Sequence, residues 1–403
     1  MEKLIALTLV TLMILSMAPM AFAEGLPHVT LKFIFFADKK ADTDKVWAAI
    51  AEKYKDQLNC DFDVQFIHAD DYKQRLLLKA GTGDKWDLNF DGNWQGYFQM
   101  IGMDAYMDIT AMLPEYAPDL YAALEKAGAL GAATYNDKIV SIPWTMMMNN
   151  RTNFMWRGDL AEAAGITIDK ENLKTLEDVI PVLEQLKAVY PDRYAIEVSS
   201  KEARYDKYNL VDIGNNLVID LTDSEGKIQL VETTDAYREM ARYAQELQEK
   251  GLIWKDVLND KTDHNALINE GKLITIWGTY EFARSGRAWT EEGARWDYAF
   301  LYPDSKVAKP LAAVQCRRHS ATSENPERTL MFLNLLETDE ELYDMVHYGL
   351  YGETYEIDVD GNVVYPAGMS TANSNYMGWQ GRWPLWKPQF MRSDDEFAKD
   401  FWK

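Results

Sequence analysis

Cysteine is nearly absent from this chain: Cys60 and Cys316 are the only two in 403 residues and stand far apart, so no disulfide framework organises the fold. Whether the two pair in an oxidising compartment is open at this level. Long apolar runs are missing too. The longest, Leu4 to Ala18, is shorter than the ~20 residues a membrane-spanning helix needs, and this excludes a membrane-inserted chain. Basic residues are in deficit, with 42 Lys plus Arg against 64 Asp plus Glu and a formal net charge of -22. Such a surface repels nucleic acid and anionic membranes. The five histidines, His28, His68, His264, His319 and His347, show no ligand spacing, so neither metal nor cofactor is expected. G-x-S-x-G, P-loop and dinucleotide fingerprints are all missing, as are solenoid repeats and Pro/Ser/Gly linkers.

What is present begins with an export signal. Lys3, the apolar run and Ala21-Phe22-Ala23 before Glu24 have the order of a secretory leader cleaved after Ala23. No cysteine stands near that point for lipid attachment, so a freely diffusing periplasmic or secreted monomer is expected. The remaining length suits two domains, and 12% aromatic content supplies material for sizeable cores.

Strand and helix patterns alternate along the first part. Val29 to Phe36 alternates β-branched and aromatic residues, and a helix pattern runs from Val46 to about Leu58. "CDFDVQFIHA" reads as a strand, "DDYKQRLLLKAGTGD" as a helix closed by glycine, and "WDLNF" as a third strand. This order predicts βαβ units and a parallel sheet, hence an α/β domain. Further on, "LTDSEGKIQLVETTDAYREMARYAQELQEKGLI" predicts a hairpin feeding a long helix that ends at Gly251. "LITIWGTY" and "WDYAFLYP" read as strands, and "NPERTLMFLNLLETDEELYDMVHYG" as two helices. "DVDGN" from Asp358 lacks the closing glutamate of a calcium loop and is better explained as a hairpin turn.

In open α/β sheets ligands sit beyond the carboxyl ends of the strands. Those ends carry Asp38 and Lys39 after the first strand, and Asp91, Asn93 and Trp94 after the third. Turn chemistry alone accounts for Asp and Asn at such places; a large aromatic like Trp94 is seldom needed by a turn.

The blocks "LLLKAGTGDKWDLNF", "YNDKIVSIPW", "ALINEGKLITIWGTYEF" and "NPERTLMFLNLLETDEELYDMV" occur in an order and spacing that resembles the extracellular solute-binding proteins of ABC importers, in the oligosaccharide-binding family that includes maltose-binding protein. The resemblance implies an α/β, two-lobed periplasmic-binding-protein fold with discontinuous lobes, an interlobe cleft and crossing hinge segments. Residues 24–142 and 316–350 would form lobe I, and 143–315 and 351–403 lobe II, after a signal peptide over 1–23. It implies a binding protein, not an enzyme, that captures an oligosaccharide and delivers it to membrane permease subunits by lobe closure. Ser141 to Trp144 would be the first crossover, where Pro143 is tolerable because a connecting strand spares its missing donor. Alternation along the following strand turns Trp144 and Met147 toward the cleft, although methionine also serves as core filler.

Sugar sites combine flat aromatic platforms with polar hydrogen-bonding groups. On the second lobe Trp277, Tyr280 and Glu281 fit that recipe, and "YMGWQGRWPLWKPQF" adds Tyr376, Trp379 and Trp383. A peptide or a uronate-containing oligosaccharide would instead use Arg151, Arg157, Arg284 or Arg287. The sequence leaves these ligand classes open. A secreted glycoside hydrolase is the less favoured alternative, since it needs two carboxylates roughly 5–10 Å apart across a cleft and no acidic residue carries a local signature. Relatives continue past the cleft tryptophans with further helices, so a shortened C-terminus is expected at "DDEFAKDFWK".

Overall fold

A computed structural model describes residues 25–92, 95–143, 153–196, 205–214, 216–253, 267–268, 270–278, 294–306, 316–359, 361, 363–369 and 373–376. In chain order, β1 (Val29–Phe36) leads to α1 (Thr43–Lys53), β2 (Cys60–Ile67), α2 (Ala69–Thr82), β3 (Leu88–Asp91), α3 (Tyr97–Gly102) and β4 (Ile142–Pro143). Then come β5 (Asn153–Arg157), α4 (Leu176–Val189), β6 (Leu210–Gly214), β7 (Leu217–Asp220), β8 (Ile228–Leu230), α5 (Asp235–Glu249), β9 (Thr275–Gly278) and β10 (Trp296–Phe300). The chain returns through β11 (Cys316–His319), α6 (Pro326–Thr338), α7 (Glu340–Tyr348), β12 (Glu356–Ile357) and β13 (Val363–Val364).

The described residues of Met1–Met146 and Leu311–Lys403 form one compact unit, and those of Met147–Pro310 a second. The first is built on a five-stranded sheet in the order β2-β1-β3-β11-β4. β1 pairs in parallel with β2 and β3, as the βαβ pattern predicts, whereas β11 runs antiparallel between β3 and β4. Leu31, Phe33 and Phe35 alternate into a core shared with Trp47 and Ile50 of α1 and with Phe332 and Leu333 of α6. Phe33 lies 5.4 Å from Phe332 and 6.0 Å from Trp47, ring centre to ring centre, within the range where aromatic pairs attract beyond their area alone. Burial on this scale is the main stabilising force of the unit.

Local chemistry sets the element ends. Gly83 closes α2 in the left-handed conformation, φ +71°, which glycine adopts without a Cβ penalty. The helix expected from Val46 to Leu58 starts earlier, at Thr43, and is interrupted at Tyr54. Pro326 opens α6 at its first turn, where a missing N–H costs nothing. On either side of "DVDGN", β12 and β13 pair antiparallel, with Glu356 opposite Val364.

The second unit contains a three-stranded antiparallel sheet, β9-β5-β10, and a separate β8-β7-β6 meander. Its core joins Phe154, Trp156 and Trp277 to the buried face of α4. Thr175 and Asp178 form a reciprocal capping box at the start of α4. The predicted hairpin and long helix are β7, β8 and α5, the helix being followed by Gly251 at φ +68°.

Of the stretch from residue 351, assigned to the second lobe from sequence, the described residues Tyr355, Val363 and Tyr376 are buried in the core of β1 and α6. Cys60 and Cys316 do not pair. Cys60 lies opposite Val29 at the start of β1, while Cys316 lies opposite Asp91 at the end of β3, three strands away. At the spacing of adjacent strands that is about 14 Å, double the reach of a disulfide, and Cys60 is a buried free thiol.

Candidate functional site

The carboxyl ends of β1, β2 and β3 gather the polar residues of the first unit. Directly after β1, Asp38 and Lys39 are exposed. His68 Nε2, at the end of β2, lies 3.9 Å from the Asp38 carboxylate, and Lys39 Nζ donates to Asp44 at 2.7 Å. Ion pairs at such exposed positions contribute little stability. The next residues are tied to a distant part of the chain. Lys40 Nζ donates to the Ser374 carbonyl at 3.2 Å, and Asp42 N to the Asn375 carbonyl at 3.0 Å. The described residues Ser374 and Asn375 therefore lie against the loop that carries Asp38 and Lys39.

At the end of β3, Asp91 is placed differently from the sequence expectation. Its carboxylate is fully buried. One oxygen accepts from Gly92 N at 2.8 Å and from Gly96 N at 3.1 Å, and the other accepts from the Tyr106 hydroxyl. A hydrogen-bonded network continues below it: Asn89 Nδ2 lies 3.5 Å from the same hydroxyl, Trp86 Nε1 donates to Asn89, and Tyr72 donates to the Phe90 carbonyl at 2.7 Å. Burial, and then the Asp91 charge, push the Tyr72 hydroxyl well above its ordinary pKa, so it stays protonated as a donor.

Tyr376, expected from sequence as an aromatic sugar contact, belongs to the first unit's core. It is buried, donates from its hydroxyl to the Val346 carbonyl at 2.9 Å, and presses against Gly349, where an added Cβ would lie 2.8 Å from its ring. It fixes the start of the C-terminal run from within the core. Trp277, in β9, is 6% exposed and lies 5.5 Å from Phe154, ring centre to ring centre and tilted by 55°, in the core of the second unit. Its indole Nε1 has no hydrogen-bond partner. Arg157 is buried and clamps Asp159 through two bonds of 2.8 and 2.6 Å; a peptide carboxylate could not reach it.

Asn153 was missed by sequence reasoning. It opens β5 opposite Gly278, the last residue of β9, is completely buried, and leaves both amide atoms without a partner. Nothing in "RTNF" signals this, because a strand-end asparagine is ordinary turn chemistry. Asn93, Trp94, Trp144, Met147, Tyr280, Glu281, Trp379 and Trp383 lie outside the described residues, as do the leader and its cleavage point. Among the described residues no group of His, Cys, Asp and Glu could hold a metal ion, and no helix is long and apolar enough to cross a membrane. One cavity of about 400 Å³, lined by Lys32, Lys85, Asp87 and Glu324, opens at the opposite, amino-terminal edge of the first sheet.

Comparison with known proteins supplies the rest. The profile of the bacterial extracellular solute-binding protein family matches residues 48–352. A carbohydrate ABC transporter substrate-binding protein of Streptococcus pneumoniae serotype 4 (strain ATCC BAA-334 / TIGR4) is 26% identical over 353 residues, 87% of this chain and 70% of that protein. The crystal structure of the N-glycan transport solute binding protein NgtS of S. pneumoniae superposes with a TM-score of 0.74 at 22% identity, covering 92% of this chain and 80% of that one. The S. pneumoniae ABC-transporter substrate binding protein FusA, in complex with kestose, gives 0.63 at 19% identity, covering 92% and 82%. At these identities the structural likeness establishes the fold alone.

Proposed function

This chain belongs to the bacterial extracellular solute-binding protein family, and from that premise we propose that it captures an oligosaccharide outside the cytoplasm and hands it to the permease of an ABC importer without chemically altering it. The observation that carries the carbohydrate reading is the tie between Asp42 N and the Asn375 carbonyl. It ties the residues that precede a tryptophan-rich run to the loop of the exposed Asp38 and Lys39, and a sugar needs both kinds of group, polar ones for its hydroxyls and aromatic rings for its C–H faces. The names of the relatives agree with this reading, since they refer to carbohydrate, N-glycan and kestose.

In this reading Asp38, Lys39, Asn93 and Trp94 contact the sugar from the first unit, with Tyr280 and Glu281 on the second, Trp144 and Met147 in the crossing segment, and Trp379 and Trp383 as platforms. Asp91, Trp277 and Tyr376 support these contacts from beneath. A ligand held by both units favours the closed arrangement by as much as it binds that arrangement better, and crossing segments are the natural hinge. Residues 1–23 serve as the cleaved leader.

The test is titration of the mature protein, from Glu24 onward, with N-glycan fragments containing mannose and N-acetylglucosamine, with kestose, and with short peptides, following tryptophan fluorescence and Tm. The expected result is a saturable change with one oligosaccharide class, a Tm increase that grows with its concentration, and unaltered sugar by mass spectrometry. Saturation by peptides alone overturns the carbohydrate assignment. Appearance of shortened sugar overturns the receptor in favour of a hydrolase.

A further inference from the structure

We propose that Tyr351 is an outlying platform of the ligand site, stacking on an outer unit of an oligosaccharide whose inner units meet Asp38 and Lys39. The inference rests on the reading above and adds to it a preference for longer chains.

α7 runs antiparallel to α1. Lys53 in the last turn of α1 pairs with Glu341 in the first turn of α7, and Lys45 in the first turn of α1 pairs with Glu353, just beyond α7. Because α1 begins shortly after the carboxyl end of β1, the loop from Gly349 to Tyr355 stands at the same end of the sheet as Asp38 and Lys39. Asp44, the neighbour of Lys45, is the residue to which Lys39 Nζ donates at 2.7 Å. The loops of Lys39 and of Tyr351 are therefore tied to consecutive residues, whose Cα atoms are ~3.8 Å apart.

Tyr351 is 65% exposed, in a loop whose backbone is fixed. Gly352 N donates to the Tyr355 carbonyl at 2.8 Å, and Glu353 N to the Leu350 carbonyl at 3.1 Å. The buried Thr354 donates from its hydroxyl to the Tyr348 carbonyl and accepts from Leu350 N, both at 2.7 Å. Tyr355, a residue of the first unit's core, lies 5.7 Å from Tyr351, ring centre to ring centre, at an interplanar angle of 74°. In so nearly perpendicular a pair Tyr355 covers at most one face of Tyr351. A lone exposed apolar side chain is ordinary. One braced from the core, beside the half-exposed Lys45 and Glu353, offers a ring for the C–H face of a sugar and polar groups for its hydroxyls. Tyrosine supplies such contact area at low entropic cost, and a ring already held loses less freedom on binding.

The experiment measures, by calorimetry on the mature chain from Glu24 onward, affinity for a shorter and a longer member of two sugar series, Man1GlcNAc with Man5GlcNAc and kestose with fructo-nystose, with Tm read in parallel. Tyr351→Ala is expected to weaken the longer member of the series that binds by about three- to tenfold, the usual worth of one aromatic contact. The shorter member and Tm are expected to stay at their wild-type values. Tyr351→Phe, which keeps the ring, is expected to bind both members as wild type does. Unaltered affinity of Tyr351→Ala for the longer sugar overturns the platform and leaves the receptor reading intact. Equal losses for both members also overturn it, because an outlying contact cannot be felt by a chain too short to reach it. A loss in Tyr351→Phe as large as in Tyr351→Ala assigns the effect to the hydroxyl and overturns stacking. Binding of neither series by wild type overturns the oligosaccharide reading, and the platform with it.

Discussion

Trp277, offered by the sequence as a sugar contact, and Cys60, whose pairing the sequence left open, are both interior. Trp277 has the composition of a sugar platform, yet it packs with Phe154 inside the second unit. Trp277→Ala should therefore lower unfolding free energy by about 3–5 kcal/mol, the usual cost of deleting a buried aromatic, as read by urea denaturation. Any loss of ligand affinity in that variant has to be measured on its folded fraction. Cys60 is the second case. Burial pushes its thiol up to about 12, and only the thiolate reacts. Native protein at pH 8 should leave Cys60 unmodified by iodoacetamide for hours, with rapid modification in urea, both followed by mass spectrometry. A fast native reaction would mean that the start of β2 opens readily.

At the scale of elements, buried carboxylates take over where backbone pairing stops. Asp87 precedes β3, is 2% exposed, and accepts from Lys32 N at 2.8 Å, Ser323 Oγ at 2.6 Å and Asn325 N at 3.2 Å. It links β1 to the entrance of α6. Asp87→Ala removes the side-chain acceptor of Lys32 N and one of the two acceptors of Asn325 N and should cost about 1–3 kcal/mol, visible as a lower urea midpoint at unchanged slope. Arg157 and Asp159 give the pH-dependent counterpart. Burial raises the Asp159 pKa, but the bonds from Arg157 and from Arg295 N outweigh it and hold the carboxyl below its ordinary value. With the folded pKa depressed, the contribution is complete above the unfolded value near 4 and disappears as pH falls through the folded one. The Tm gap between wild type and Asp159→Asn should thus be widest near neutral pH and close below about pH 4.

Elements with a strong local pattern were legible. β1 matches its alternation from Val29 to Phe36, and α2 and α6 end and begin at Gly83 and Pro326, where turn and cap chemistry put them. β11 was not legible. "CRRH" has no alternation and no flanking turn signal, and its place between β3 and β4 is fixed by pairing with residues more than 170 positions away. The same limit applies to the site. Which residue types gather at strand ends can be read from sequence, but the burial of Asp91 depends on Tyr106 and Asn89 closing around it. The isolated amide of Asn153 follows from the register of β5 against β9, which no local pattern encodes.

For the whole molecule, the two units have different chain economies. The second is one continuous stretch, 147–310, with its own core. The first draws its sheet and core from both sides of that stretch. A fragment spanning 147–310 should therefore show a cooperative thermal transition by circular dichroism. One spanning 24–146 lacks β11, α6 and α7 and should show none, and a cooperative melt of that shorter fragment would mean that β3 does not need its antiparallel partner.

The position of β11 also orders events in time. A chain threaded outward from its amino end delivers β3 early and Cys316–His319 almost 230 residues later, since 316 minus 88 is 228. Until then β3 presents an unpaired edge, a template for association with other chains. The unit begun first is finished last, so the hazardous interval in the making of this protein is the passage of the inserted unit, and a holding chaperone on the far side of the membrane would be needed for that interval alone.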